Sequence, residues 1–212
     1  MPVRIIKKSG SSVVGSFPST KMGRPIRFES TLERDFIYLL EFTESVTYFE
    51  EQPMTVSMWL SDGVNHFYTP DFFVVDKMLP TINEIKPSNQ LYDSHTIQQI
   101  EIGKRWADEN NYVYRLFTER EIRSGTKLEN IKLLFRYSQI QIPFFVIQSI
   151  NEVFLCKSFP ISFNELNLIL GKMTRVECGK YLLALLYHHY LETNLDELIS
   201  NNSPISKIFQ EE

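Results

Sequence analysis

Asp71, Glu84 and Lys86 stand out by type and spacing, in Tyr68-Thr69-Pro70-Asp71-Phe72-Phe73-Val74-Val75 and in Asn83-Glu84-Ile85-Lys86-Pro87. In an extended strand, residues two apart share a face at a spacing of roughly 6 to 7 Å, so Glu84 and Lys86 project together while Ile85 turns to the other side. If the strand that follows Asp71 lies next to this one, two carboxylates and an ammonium share a site. Hard divalent cations bind oxygen, commonly one or two carboxylates with water and substrate phosphate completing the shell. A lysine beside them orients or deprotonates the attacking water and offsets charge on the phosphorane. That is phosphodiester hydrolysis in outline. Two adjacent anions hold the lysine pKa high, which favours electrostatic positioning over direct general-base action. Taken singly, the pieces are ordinary: an ExK on a strand reads as a solvated face, and Pro-Asp as a strand entry, where the fixed φ and missing N–H of Pro70 fit well.

Elements of the right kind surround these residues. Ser30-Thr31-Leu32-Glu33 opens a segment with Leu32, Phe36, Leu39 and Leu40 at helical spacing, which predicts an amphipathic helix of about three turns. β-Branched and aromatic runs follow at 46–50, 55–60, 67–68, 72–75 and 82–86, punctuated by Pro53, Asp62-Gly63, Pro70 and Pro80, and predict a sheet of short, mostly antiparallel strands. A second helix is expected from residue 92 or 93 to 109. The run 112–117 should then return as a strand beside 82–86.

Three divisions result: an N-terminal arm at 1–27, an α/β domain at 28–118 and a mostly helical domain at 119–212. Residues 1–27, with Gly10-Ser11-Ser12, Gly15-Ser16 and three prolines, read as extended. In the third division helices are expected around Ile131, Leu134 and Phe135, over 144–154, after the capping signature Ser162-x-x-Glu165, and over 177–187, with a hairpin in 190–208. That order follows winged-helix logic.

Ser30-x-x-Glu33 is a capping box in which the Glu33 carboxylate would accept the Ser30 N–H, and Glu29 is the neighbouring carboxylate. Gln52-Pro53 reads as a strand end or a site wall. His188-His189 reads as a helix-end pair rather than a metal site, and His66 and His95 are isolated. Gly171-Lys172 lacks the upstream glycine of a phosphate-binding loop.

Composition narrows the class. Of 212 residues, 43% are hydrophobic and 13% aromatic, enough for a sizeable core, which excludes a disordered or fibrous chain. No apolar run approaches membrane-spanning length and no leader pattern opens the sequence, so no membrane association is expected. Cys156 and Cys178, without CxxC spacing, read as small buried hydrophobes, and a reducing cytoplasm fits. The net charge of −4 conceals +6 over residues 1–27, from Arg4, Lys7, Lys8, Lys21, Arg24 and Arg27, against −9 over 28–117 and −1 over 118–212. A basic arm commonly meets phosphates, and a dense acidic region commonly holds cations.

With Phe17-Pro18-Ser19, Met22-Gly23-Arg24, Glu29-Ser30-x-x-Glu33, Leu39-Leu40-Glu41-Phe42, Val46-x-x-Phe49-x-Glu51-Gln52-Pro53, Tyr68-Thr69-Pro70-Asp71-Phe72 and Glu84-Ile85-Lys86-Pro87, the sequence resembles the TnsA family. These are endonuclease subunits of heteromeric transposases. The resemblance implies a restriction-endonuclease-like PD-(D/E)xK fold and, more loosely, a winged-helix-type second domain. It implies DNA cleavage at the 5′ ends of a transposon, beside a TnsB-like transposase of the DDE class that cuts the 3′ ends and a TnsC-like AAA+ ATPase. Carried onto this chain, it gives catalytic roles to Glu33, Asp71, Glu84 and Lys86, with Asp71, Glu84 and Glu33 as ligands of Mg²⁺, for which Mn²⁺ would substitute. Some family members have Gln at the position of Glu84; the Glu here restores the general nuclease pattern. The rival readings are a nuclease of restriction or repair, a silent DNA-binding scaffold, and an adaptor that only contacts an ATPase.

Overall fold

A computed structural model describes residues 13–60, 63–77 and 79–207. The chain divides into two compact units between Ser124 and Gly125.

The first unit opens with a hairpin. Strands β1 (Gly15–Ser19) and β2 (Arg24–Phe28) pair antiparallel from Gly15↔Phe28 to Ser19↔Arg24. The stretch expected as an extended arm is therefore folded from Gly15 onward. Two causes act together: Gly23 supplies the positive φ of 63° that the turn needs, and Phe17, Ser19, Ile26 and Phe28 alternate inward. Pro18 and Pro25 face each other in the register, where their missing N–H groups break only local bonds. The turn is anchored on helix α1 (Thr31–Phe42). The buried Glu41 carboxylate accepts from Ser19 Oγ at 2.6 Å, Thr20 N at 2.8 Å, Thr20 Oγ1 at 2.6 Å and Lys21 N at 2.9 Å.

Strands β3 (Val46–Glu51), β6 (Phe72–Asp76), β7 (Pro80–Ile85) and β8 (Val113–Phe117) form a sheet in the order β3-β6-β7-β8. The first three are antiparallel. β8 joins β7 in parallel after helix α2 (Ser94–Glu109), as the 112–117 run predicts. Helix α1 lays Phe36 against Phe72 and Phe117, with ring centroids 5.5 and 4.8 Å apart. A separate hairpin of β4 (Val56–Trp59) and β5 (Asn65–Tyr68) packs on α2, where Val56, Met58, Tyr68 and Ile102 are buried together. Helix α3 (Glu119–Ile122) closes the unit with a capping box between Thr118 and Glu121.

The second unit contains α4 (Lys127–Phe135), α5 (Phe144–Cys156), β9 (Ile161–Ser162), α6 (Phe163–Thr174), α7 (Gly179–Tyr187), β10 (Leu191–Glu192) and β11 (Pro204–Lys207). All three strands join one antiparallel sheet in the order β10-β11-β9. The expected terminal hairpin is thus two strands separated by a long loop. Asn130, 1% exposed, pins that loop: its Nδ2 donates to the carbonyls of Leu195 and Glu197 at 2.8 and 2.7 Å, and its Oδ1 accepts from Ile199 N at 3.0 Å. Ser162 caps α6 by accepting from Glu165 N. Cys178 is buried, whereas Cys156, at the last position of α5, is exposed, which corrects the expectation that both are core residues. Among the described residues no helix is long and apolar enough to cross a membrane.

Candidate active site

Strand pairing brings Asp71, Glu84 and Lys86 together. Phe72 pairs with Asn83, so Asp71, one residue before β6, reaches the end of β7, and its Oδ2 accepts from Ile85 N at 2.7 Å. Glu84 and Lys86 flank Ile85, which points into the core and is 4% exposed. Lys86 Nζ sits 2.6 Å from Glu84 Oε1, and Lys86 N extends the parallel ladder by donating to the Phe117 carbonyl at 3.0 Å. Glu84 is itself buried, and its second oxygen accepts from the Tyr68 hydroxyl.

Glu33 enters from the first turn of α1. The helix start contains half of the expected capping box: Ser30 Oγ accepts from Glu33 N at 3.0 Å, but the Glu33 carboxylate accepts from Glu29 N at 2.8 Å rather than from Ser30 N. Its side chain therefore bends back over the loop that precedes the helix. Glu29 in turn accepts from Gln52 Nε2 at 2.9 Å, while Gln52 N donates to the Asp71 carbonyl at 2.9 Å. Gln52, with a φ of 44°, thus ties this strand end to both Glu29 and Asp71.

The electrostatics follow from crowding. Burial and the Asp71 carboxylate push Glu33 up to about 7, against the favourable bond from Glu29 N. Burial and Glu84 push Asp71 up to about 8, with Lys86 opposing. Glu84 is raised by burial despite the lysine. Burial draws Lys86 downward, but Asp71 and Glu84 outweigh it and hold the ammonium above its ordinary value, as the two-anion argument predicts. The charges of Asp71, Glu84 and Glu33 all act on the one ammonium, and that of Glu29 acts on Glu33 and Asp71. That surplus of negative charge requires protons or a cation. The donors are hard oxygens, so the set fits Mg²⁺ or Mn²⁺. Among the described residues no three His, Cys, Asp or Glu side chains are grouped as a ready-made metal centre. Protein oxygens would supply part of a coordination shell, with water and substrate supplying the rest.

The other candidates are dispersed. His66 Nε2 lies 3.4 Å from Gln98 Nε2, and His188 contacts the Ser138 carbonyl at 2.9 Å at the end of α7. Gly171 and Lys172 lie inside α6. Of the basic stretch, Arg4, Lys7 and Lys8 lie outside the described residues. Lys21 caps α1 by donating to the Leu40 and Thr43 carbonyls at 2.9 and 2.6 Å, and Arg24 grips Glu51 with two bonds of 2.9 and 2.7 Å. Sequence reasoning left out Tyr68. Its signal was alternation: it precedes the Asp71 motif with inward parity, opposite to the exposed Phe67.

Residues 43–119 match the family model described as TnsA-like endonuclease N terminal. The match spans Asp71, Glu84 and Lys86 and begins after α1, so Glu33 lies before it. No curated protein matches the chain.

Proposed function

We propose, from the match of residues 43–119 to the TnsA-like endonuclease N-terminal family model, that this chain is the divalent-metal-dependent DNA endonuclease that cuts the 5′ ends of a transposon. It acts beside a DDE transposase and an AAA+ ATPase. The observation that carries the reading is the convergence of Asp71, Glu84 and Lys86 across β6 and β7, with Glu33 electrostatically coupled to them. Asp71, with Glu33 and Glu84, would hold Mg²⁺, which supplies Lewis-acid polarisation of the scissile phosphate and a lowered pKa for a bound water. Lys86 stays protonated, so its role is to orient the attacking water and neutralise charge that develops on phosphate oxygens. Glu84 fixes the lysine in that position. The second unit supports a winged-helix-like reading, because after α4 its helix, strand, two helices and two strands, α5 to β11, with sheet order β10-β11-β9, follow that plan. It would contact DNA or a partner protein.

The test is a reconstituted reaction on transposon-end DNA with the transposase present. Cleavage of the 5′ strand should require Mg²⁺ or Mn²⁺, stop in EDTA, and fall at least about a hundredfold in Asp71→Ala and in Lys86→Ala. Full activity in either variant would remove that residue from the site.

A further inference from the structure

We propose that Tyr68 is a positioning residue for the Glu84–Lys86 pair, held beneath Glu84 in a cradle opened by Gly103, and that it sets how tightly the site binds a divalent cation. This rests on the nuclease reading above and deepens it. Tyr68 is 2% exposed, its ring packed with Val56, Met58 and Ile102, and its hydroxyl donates to Glu84 Oε2. Lys86 takes the other oxygen at 2.6 Å. Held at both oxygens, the carboxylate cannot turn, and the lysine is fixed through it. Sixteen residues separate Tyr68 from Glu84 in sequence, so this bond also ties the β4–β5 hairpin to the central sheet at the site.

Gly103 is the second observation. It lies inside the sixteen-residue α2, where glycine is less favourable than alanine. A Cβ there would stand 2.5 Å from the Tyr114 ring and 2.9 Å from the Tyr68 ring. The helix gives up propensity at the one point where the two tyrosines need room. Hydrogen-bond partners of ligating carboxylates typically change metal affinity or activity by about 10- to 100-fold when removed. Tyr68 has the geometry of such a partner.

The experiment uses the full-length chain and Mn²⁺ alone as the probe, followed by calorimetry, with melting temperature and cleavage kinetics measured alongside. Tyr68→Phe keeps the ring and removes only the hydroxyl. It should weaken the Mn²⁺ Kd about tenfold and lower kcat while leaving KM for DNA unchanged. Gly103→Ala alters no polar atom yet should weaken Mn²⁺ binding in the same direction. The double variant should be no weaker than the worse single one, because both act through one bond. A purely structural Tyr68 would lower the melting temperature and leave Kd and kcat unchanged in the folded variant, which overturns the proposal. If Gly103→Ala does not fold, Tyr68→Phe decides alone. A wild-type chain that takes up no Mn²⁺ overturns the nuclease reading and this proposal with it; wild-type binding with an unchanged Kd in Tyr68→Phe overturns the proposal only.

Discussion

Glu33 couples the stability of the fold to the chemistry of the site. Its pKa is raised from the ordinary 4.5 to about 7, so between those values the native state keeps a proton that the unfolded chain has released. Stability from this group is whole below the unfolded pKa and is lost as pH rises through the folded one, by roughly 3 kcal/mol in all. Gln still accepts the Glu29 N–H but cannot ionise. In EDTA, Glu33→Gln should melt close to wild type at pH 4.5 and above it at pH 8, while losing most DNA cleavage; parallel melting profiles across that range would contradict this account. The cation binding proposed for this site would also expel protons from Glu33 and from Asp71, raised to about 8. Mn²⁺ affinity should therefore climb from pH 6 to 8.5 and then level off, and a flat profile over that window would mean that neither carboxylate takes part. The meeting of Asp71 with Glu84 and Lys86 was legible in the sequence because strand alternation has period two and the strands are consecutive. The bond from Glu29 N to Glu33 was not, since a capping box and a side chain turned back onto the preceding loop share one spacing. Nor was the Tyr68 bond, which depends on how the β4–β5 hairpin folds over.

At the scale of elements, the N-terminal hairpin departs most from sequence expectation. Gly and Pro in 13–28 resemble linker composition, and short strands give only four alternating inward residues. What makes the hairpin is a long-range partner that local patterns do not reveal, Glu41 on α1, 4% exposed and accepting four bonds from residues 19–21. Glu41→Ala strands those donors, and because bonds to a buried carboxylate are the costly ones to lose, it should destabilise the first unit by about 3 kcal/mol, with Glu41→Gln intermediate, in urea titrations. Equal stability of all three would detach the turn from α1. The hairpin also redistributes the work of the basic stretch. Lys21 and Arg24 are committed to the helix end and to Glu51, so the phosphate contacts proposed for this region would fall to the exposed Arg27 and to three cations that precede the hairpin, Arg4, Lys7 and Lys8. Removing residues 1–12, which leaves the hairpin whole, should lower the log–log salt slope of DNA binding by roughly 0.9 for every phosphate that those three cations neutralise. An unchanged slope would return them to solvent or to a protein partner.

For the whole molecule, the change of pattern after Thr118 predicts a division there, whereas the structure gathers Glu119–Ile122 with the first unit, whose limit is Ser124. A sequence boundary drawn at the end of the last strand cannot register this, because what α3 contributes is long-range. Glu119 accepts from Ser88 N at 2.8 Å and from the Ser88 hydroxyl, tying down the turn that leaves Lys86 and Pro87. Ile122 is 2% exposed, and Arg123 Nε meets the buried Asp35 at 2.7 Å. A chain ending at Thr118 would lose the Ile122 burial, worth about 1.5 to 3 kcal/mol. It would also strip Arg123 from the buried Asp35. Breaking such a pair usually costs about 3 to 5 kcal/mol, reduced here because Arg123 is partly exposed and Arg34 Nη2 stays 3.3 Å from the carboxylate. A chain ending at Ser124 keeps both. The longer fragment should therefore unfold in one cooperative transition and retain Mn²⁺ binding, and the shorter should be unstable by several kcal/mol or unfolded, as followed by circular dichroism and calorimetry. Equal stability of the two fragments would make α3 an accessory of the second unit. Aggregation of the longer one, with the full chain soluble, would mean that the units share a core and that the site does not stand on the first alone.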